Sequence, residues 1–310
     1  MRKLKILVTG GAGFIGSHVV DAYVNLGHKV VVIDNLSTGK LEFIHPEARF
    51  YAVDIRDEGI EEIFHHEKFD VVNHHAAQMD VRRSVEDPLF DAKVNVLGSL
   101  NILQNCVKNR IKKFIFASTG GAVYGEQDYF PADENHPLRP LSPYGVTKLT
   151  VEKYLHFYYK SYGLKYIILR YTNVYGPRQN PYGEAGVVAI FSKKLIQGDH
   201  AIINGDGKQT RDYVYVSDVV QANVNSLERD EFHIINIGTS IETDVNTIFN
   251  KINDITGRRG RETHGPPKKG EQRRSIVSIN RATEVLNWYP AVGLDEGLKR
   301  TVEYFINQNN

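Results

Sequence analysis

The chain has 310 residues, 41% hydrophobic and 24% charged, with 38 Lys and Arg against 37 Asp and Glu for a formal charge of +1. That composition excludes a disordered, collagen-like or disulfide-stapled chain, and the even charge balance gives no field to draw in a nucleic-acid backbone or an acidic membrane. A single cysteine, Cys106, can form no internal bridge, and there is no cysteine pair for a structural zinc.

The opening Met1-Arg2-Lys3-Leu4-Lys5-Ile6-Leu7-Val8 is basic and then apolar, but glycines stop the run far short of a signal peptide or a membrane span, so a soluble cytoplasmic protein is expected. Short β-branched runs at 5–9, 29–33, 49–53, 70–74, 113–117 and 166–170 alternate with helical patterns at 14–26, 58–66, 89–109 and 143–162. This rhythm predicts an α/β fold of the Rossmann type, a doubly wound parallel sheet covered on both faces. Val30-Val31-Val32-Ile33, apolar without a break, fits a central strand. Beyond Arg170 the pattern loosens. Residues 176–183 read as loop, 218–227 and 244–256 as helices, 233–237 as a strand added to the first sheet, 258–272 as loop and 294–307 as a terminal helix. The division expected is a dinucleotide-binding domain at 1–175, rejoined by 212–240, and a smaller interleaved substrate domain at 176–310.

The first run leads into Gly10-Gly11-Ala12-Gly13-Phe14-Ile15-Gly16, which opens a helical pattern. Glycines there permit positive φ and let a pyrophosphate approach the helix N-terminus, where free N–H groups and the helix dipole favour anions. Asp34, at the end of the second run, is placed to accept hydrogen bonds from the adenosine ribose, which favours NAD over a 2′-phosphorylated cofactor; a turn or cap role fits the same position. Asp54 ends the third run in a similar place, toward the adenine edge. Tyr144 and Lys148, four apart at the start of a helical pattern, share a face, and Ser118 and Thr119 end the strand before them at the sheet's ligand-binding edge. A tyrosine acting as base at neutral pH needs its pKa lowered by roughly three units, which a lysine ammonium and a cationic nicotinamide ring both favour.

With Thr9 to Gly16, Asp34 to Gly39, His75-Ala76-Ala77-Gln78, Asn95, Ser118 to Gly125, Ser142-Pro143-Tyr144 with Lys148, Arg170 to Gln179 and Arg211-Asp212-Tyr213-Val214 in place, the chain resembles the extended short-chain dehydrogenase/reductase family, within it the UDP-glucose 4-epimerase branch. The resemblance implies NAD held by Gly10, Gly13, Phe14, Ile15, Asp34, Asn35, Ser37, Thr38, Gly39, Asp54, Ile55, Ala76, Ala77, Gln78, Asn95, Tyr144, Lys148 and Tyr171. It implies a UDP-sugar held by Thr119, Asn173, Val187, Val188, Ile202, Asn204, Arg211, Lys268, Glu271 and Ser275. Catalysis would fall to Tyr144 as base, Lys148, and Thr119 or Ser118 as the hydroxyl on the sugar's O4. The apolar residues at 187–188 and 202–203 fit plain core equally well, and Arg211 fits a salt bridge to Asp212.

Two positions depart from the family pattern. Gly120 stands where many members carry the reactive hydroxyl, and Lys268 replaces an arginine on the diphosphate. Gly120, Gly121 and Ala122 supply no Asp-Glu pair, which argues against dehydration. Ser275, small where a tyrosine excludes N-acetyl sugars, implies room for them; it could also simply begin a strand. The resemblance further implies a homodimer through 89–109 and 143–162, with Leu155, Phe157, Tyr158 and Tyr159 as apolar candidates that packing on the chain's own sheet would also explain. His65-His66 and His74-His75 make no natural chelate, so no metal is expected; Arg82-Arg83 and Arg258-Arg259 read as solvated faces. The rival expectations are UDP-glucuronate decarboxylation or 4-epimerisation, and a non-catalytic NAD-sensing module.

Overall fold

The computed structural model describes residues 2–182, 186–257, 261–267 and 272–308. β1 (Lys5–Thr9) runs into α1 (Phe14–Asn25), followed by β2 (Lys29–Asp34), β3 (Arg49–Ala52), α2 (Ile60–Glu67) and β4 (Val71–His74). Helices α3 (Val81–Glu86) and α4 (Pro88–Ala92) lead through a π-helical turn at Lys93–Gly98 into α5 (Ser99–Lys108). β5 (Lys113–Thr119), α6 (Pro143–Tyr162) and β6 (Lys165–Tyr171) close the repeat. The second half supplies β7 (Asn173–Tyr175), α7 (Val187–Gln197), β8 (Ile202–Asn204), β9 (Thr210–Tyr215), α8 (Val216–Ser226) and β10 (His233–Ile237). It ends with β11 (Glu242–Asp244), α9 (Val245–Thr256), β12 (Thr263–Gly265), β13 (Arg274–Ser275), α10 (Asn280–Leu286) and α11 (Leu294–Asn307).

Among the described residues the larger sheet has seven strands in the order β10-β6-β5-β4-β1-β2-β3, all parallel. This is the doubly wound α/β plan. The order reverses between β1 and β4, and open sheets bind ligands in the crevice outside such a switch point. Val30 and Val32 pack with Val19, Val20, Val219 and Ala222 on one face, while Val31 and Ile33 pack with Phe64, Leu103, Val151 and Leu155 on the other. Burial on both faces is why that strand reads as an unbroken apolar run. α6 starts where Ser142 Oγ accepts the Gly145 N–H (3.1 Å) and Pro143 takes the first turn; it stops at Gly163, whose φ of 71° suits a residue without Cβ.

The smaller lobe is built on β9, flanked by β11 and β13 and paired also with β7, with β8 and β12 as a separate ribbon. Phe191 and Leu195 of α7, Ile248, Phe249 and Ile252 of α9, and Leu298 and Val302 of α11 close a core over Tyr175, Tyr213 and Tyr215. β9 belongs to the smaller sheet, while α8, which follows it from Val216, packs on α1. β12 falls within the stretch expected to be loop, three residues paired with β8 from far away in sequence and too short for an alternation to show. The single helix expected over 89–109 is interrupted by the π turn, which carries Asn95. Leu155 and Tyr158 are core residues of the chain's own sheet, so they are unavailable to a partner, whereas Phe157 is exposed. Among the described residues no helix is long and apolar enough to cross a membrane.

Candidate functional site

The β1–α1 turn is a cradle that only glycine fits. Gly10 has φ +70°, and a Cβ there would lie 2.6 Å from the backbone nitrogen of Ala76; a Cβ on Gly16 would lie 2.2 Å from the Gly10 carbonyl oxygen. Side chains would therefore close the space between the turn and the end of β4. Gly13 caps α1 without a side-chain hydrogen bond and the first turn holds no acidic residue, leaving its N–H groups for an anion. Asp34 ends β2 beside this turn. It accepts the Ala12 N–H (3.0 Å) and the Leu36 N–H (2.8 Å); burial pushes its carboxyl above the ordinary range while these two donors pull it back. Both donors fix the carboxylate's orientation and leave it lone pairs for a ribose.

Asn35, Ser37 and Thr38 are exposed beyond Asp34, and the chain folds back so that Lys40 N–H donates to Ala12 O (2.9 Å) and Gly39 lies against Ala12. Asp54 accepts both Nε and Nη2 of Arg56 (2.8 Å each) and the Asn35 amide (2.7 Å), and the Arg56 hydrogen bonds hold its carboxyl at about 2. Ile55 is buried against Gly98. Phe14 packs toward the smaller lobe's core and Ile15 toward the larger. Ala76 N–H donates to Thr9 Oγ1 (3.2 Å), and Ala77 follows, half-buried. Gln78 and Asn95, expected at the cofactor, spend their side chains on the protein. Asn95 Oδ1 accepts the Gln78 N–H (2.8 Å) and its amide donates to Gln78 O and Asp91 Oδ1 (2.9 and 3.0 Å), while the Gln78 amide also reaches Asp91 (2.9 Å).

Tyr144 and Lys148 lie on one face of α6 above the end of β5. Lys148 Nζ donates to Ala117 O (2.9 Å), sits 4.9 Å from the Phe116 ring centre and lies 5.9 Å from that of Tyr144. Burial draws the ammonium down to about 8 against the opposing pull of Asp91 and Glu152. Burial, and then the Asp91 charge, push the Tyr144 phenol above its ordinary value, so this tyrosine stays protonated until further positive charge arrives. The phenol has no hydrogen-bond partner among the described residues; the Tyr144 backbone is anchored to Ser84 Oγ (3.2 Å).

The two candidate hydroxyls separate cleanly. Ser118 Oγ donates to Glu152 Oε1 (2.6 Å) and is buried, which removes it from the site side of the strand. Thr119 Oγ1 has no protein partner among the described residues; with Asn173 Oδ1 it flanks Gly121, 3.8 and 4.0 Å from where a Cβ would stand. A Cβ on Gly120 would instead press on Arg170 O (3.2 Å) and Val277 (3.3 Å), so no hydroxyl at that position would be free to face a ligand without a shift. Tyr171 receives the Asn223 amide on its hydroxyl (2.8 Å) and stacks on His75 at 6.4 Å.

On the smaller lobe Arg211 Nη1 donates to Thr210 O (2.8 Å), while Asp212 accepts the N–H and hydroxyl of Thr239 (2.7 Å each) and the Ser240 N–H (3.0 Å). Asp212 thus holds the connection between β10 and β11, with both oxygens engaged by that turn. Ser275 is buried on β13 in register with Arg211, and its neighbour Arg274 pairs with Glu242 (2.8 and 2.9 Å) over the Phe130 ring. Val188 is core, Val187 packs at its edge, Ile202 is half exposed and Asn204 pairs with Gly265. Lys268 and Glu271 lie outside the described residues, as do Arg258 and Arg259. His74 is bonded to Thr9 (2.7 Å) and Ser99 (2.9 Å). The sequence reading missed Asp91, Glu152 and Asn223; Glu152, four beyond Lys148, repeats the spacing that singled out the Tyr-Lys pair and could have been found that way.

A family model described as "NAD dependent epimerase/dehydratase family" matches residues 6–238. The UDP-glucose 4-epimerase of Thermotoga maritima, solved with UDP-glucose, is similar at 50% identity and TM-score 0.98, covering 99% of this chain and 100% of that one. The UDP-glucose 4-epimerase of Thermus thermophilus, a complex with NAD, is similar at 43% identity and TM-score 0.93, covering 97% and 99%. The UDP-N-acetylglucosamine 4-epimerase of Methanobrevibacter ruminantium, solved with UDP-N-acetylmuramic acid, is similar at 36% identity and TM-score 0.94, covering 99% and 100%.

Proposed function

The chain belongs to the NAD dependent epimerase/dehydratase family and is an NAD-dependent epimerase of UDP-sugars, and from that premise we propose that it interconverts UDP-glucose and UDP-galactose. The observation that carries this reading is the grouping at one sheet edge of the Tyr144 phenol, the Lys148 ammonium and the Thr119 hydroxyl, the phenol and the hydroxyl both without a partner among the described residues. The glycine cradle, the open N-terminus of α1 and Asp34 fit a dinucleotide, which when bound supplies a hydride acceptor and donor for carbon 4 of the sugar. Thr119 holds O4, and Tyr144 takes its proton and later returns it. Lys148 stabilises the phenolate. Asn173 and Arg211, with Lys268 and Glu271, hold the UDP while the 4-keto sugar turns to present its other face.

The test is product identification after incubation with UDP-galactose, UDP-glucose, their N-acetyl analogues and UDP-glucuronate. Interconversion of the first two supports the proposal. Turnover confined to UDP-glucuronate, or tight NAD binding without turnover of any sugar, overturns it.

Sugar size is the point on which the M. ruminantium relative bears. Ser275 is small and buried beside the strand of Arg211, and on the proposed reading a tyrosine there would fill space next to the sugar's 2-substituent. Ser275→Tyr is expected to lower turnover of the N-acetyl substrate by about tenfold or more while UDP-glucose turnover stays within about threefold. Equal losses on both substrates would remove Ser275 as the gate.

The assembly proposed is a homodimer. α6 exposes Val146, Tyr154 and Phe157, and Leu89 and Leu97 on the preceding helical stretch are more than half exposed. Apolar side chains gathered on neighbouring helices favour a partner surface. Light scattering should give twice the 35.1 kDa chain mass at micromolar concentration; a single-chain mass would refute the dimer.

A further inference from the structure

Beneath the Tyr-Lys pair lies an ion pair sealed from water. Arg170 Nη2 donates to Glu152 Oε2 at 2.6 Å, with the two side chains 1% and 2% exposed. Such a pair is weak evidence for stability, since desolvating both charges offsets most of their attraction. What it does is geometric. Ser118 and Arg170 are cross-strand partners on β5 and β6, and Glu152 bridges them, accepting Ser118 Oγ–H (2.6 Å) and Arg170 Nε–H (3.0 Å) on one oxygen. Arg170 is held in turn by Tyr124, whose hydroxyl receives Nη1 (2.9 Å) and donates to Asn236 (2.7 Å).

One turn earlier on the same helix face, the Lys148 ammonium donates to Ala117 O. α6 therefore grips two consecutive residues of β5, 117 and 118, through two charge-assisted hydrogen bonds, and the next residue is Thr119. The base and the hydroxyl come from different elements, and these ties set how far apart they stand. We propose that Glu152 is a positioning residue for the sugar chemistry, fixing the end of β5 to α6 so that the Thr119 hydroxyl is held in register with Tyr144. The inference rests on the assignment of Thr119 and Tyr144 under the proposed function.

Ser118→Ala removes the tie and leaves the ion pair whole. In the holoenzyme it is expected to lower kcat about tenfold with the KM for UDP-glucose unchanged, since a misplacement of about 1 Å can slow a reaction by about 100-fold. In a Thr119→Val background the same change should lower kcat less than about twofold, because a hydroxyl already absent cannot be misplaced. Amide exchange supplies a readout apart from activity. The Gly120 N–H, bonded to Tyr171 O at 2.7 Å, should exchange about tenfold faster in Ser118→Ala while β1 amides keep the parent's protection. Glu152→Met combined with Arg170→Met, which removes the acceptor of the Ser118 hydroxyl and leaves no orphan charge, should act in the same direction. Equal losses of kcat in both backgrounds, or exchange rising alike in β1 and at Gly120, would reduce Glu152 to core packing and overturn the proposal. Thr119→Val with parental turnover would instead overturn the assignment of Thr119, and the positioning role with it.

Discussion

Tyr144→Phe is expected to lower kcat by about 10³-fold while NAD and UDP-glucose still bind, the magnitude general acid–base catalysis supplies. The substitution removes one oxygen that has no partner among the described residues, so the fold loses no hydrogen bond there. In the proposed reaction the phenol is the group on that face of α6 that takes and returns the proton at O4. Lys148 is committed to Ala117, and burial with the Asp91 charge holds the phenol protonated in the absence of ligand. The reaction thus needs positive charge brought to Tyr144 at the moment of turnover, from Lys148 and from the bound cofactor. Measured turnover within about threefold of the parent would show that another group moves the proton.

How far this site could be read from the sequence depended on how local each cause was. β1 and α6 appear at the residues expected because their causes lie within them: buried alternation on two faces, a Ser-Pro start and a glycine stop. The glycine cradle was legible for the same reason, since a positive φ at Gly10 and the close approach to Ala76 leave no other residue type suitable. The π turn at Lys93–Gly98 was not legible. Its evident accompaniments are the bonds Asn95 makes to Gln78 and Asp91 and the Ser99 hydroxyl's bond to the Asn95 carbonyl, contacts that exist only after folding. The short strands β7, β8, β11 and β12 pair across the chain and run three residues each, below the length at which a period of two can be counted. Ser118 against Thr119 was undecidable from spacing, since adjacent strand residues face opposite ways and only the position of Glu152 tells which one is consumed.

Lys148→Met should separate catalysis from stability, because the two respond to pH in opposite senses. Lys148 is 4% exposed, and burial brings its ammonium down to about 8. The charged groups around it are Asp91 from α4 and Glu152 from α6, both favouring the ammonium; His74 and His75 are kept neutral by burial and by Lys148 itself. Between about pH 8 and pH 10.4 the folded chain therefore binds fewer protons at this site than the unfolded chain does, and stability contributed by the site rises with pH across that window. The penalty is fully present below about pH 8. A lysine displaced that far from its ordinary value costs about 3 kcal/mol of stability at neutral pH, so urea unfolding should find the stability difference between Lys148→Met and the parent shifting by about that amount between pH 7 and pH 10. Catalysis moves the other way. If the ammonium is what stabilises the Tyr144 phenolate, parental turnover falls as pH rises above about 8, just where the fold gains stability, and the loss of about 100-fold or more in kcat that Lys148→Met shows below about pH 8 narrows above it. A parent whose activity and stability rise together through that window would show that Lys148 serves the reaction as a neutral amine or does not serve it at all.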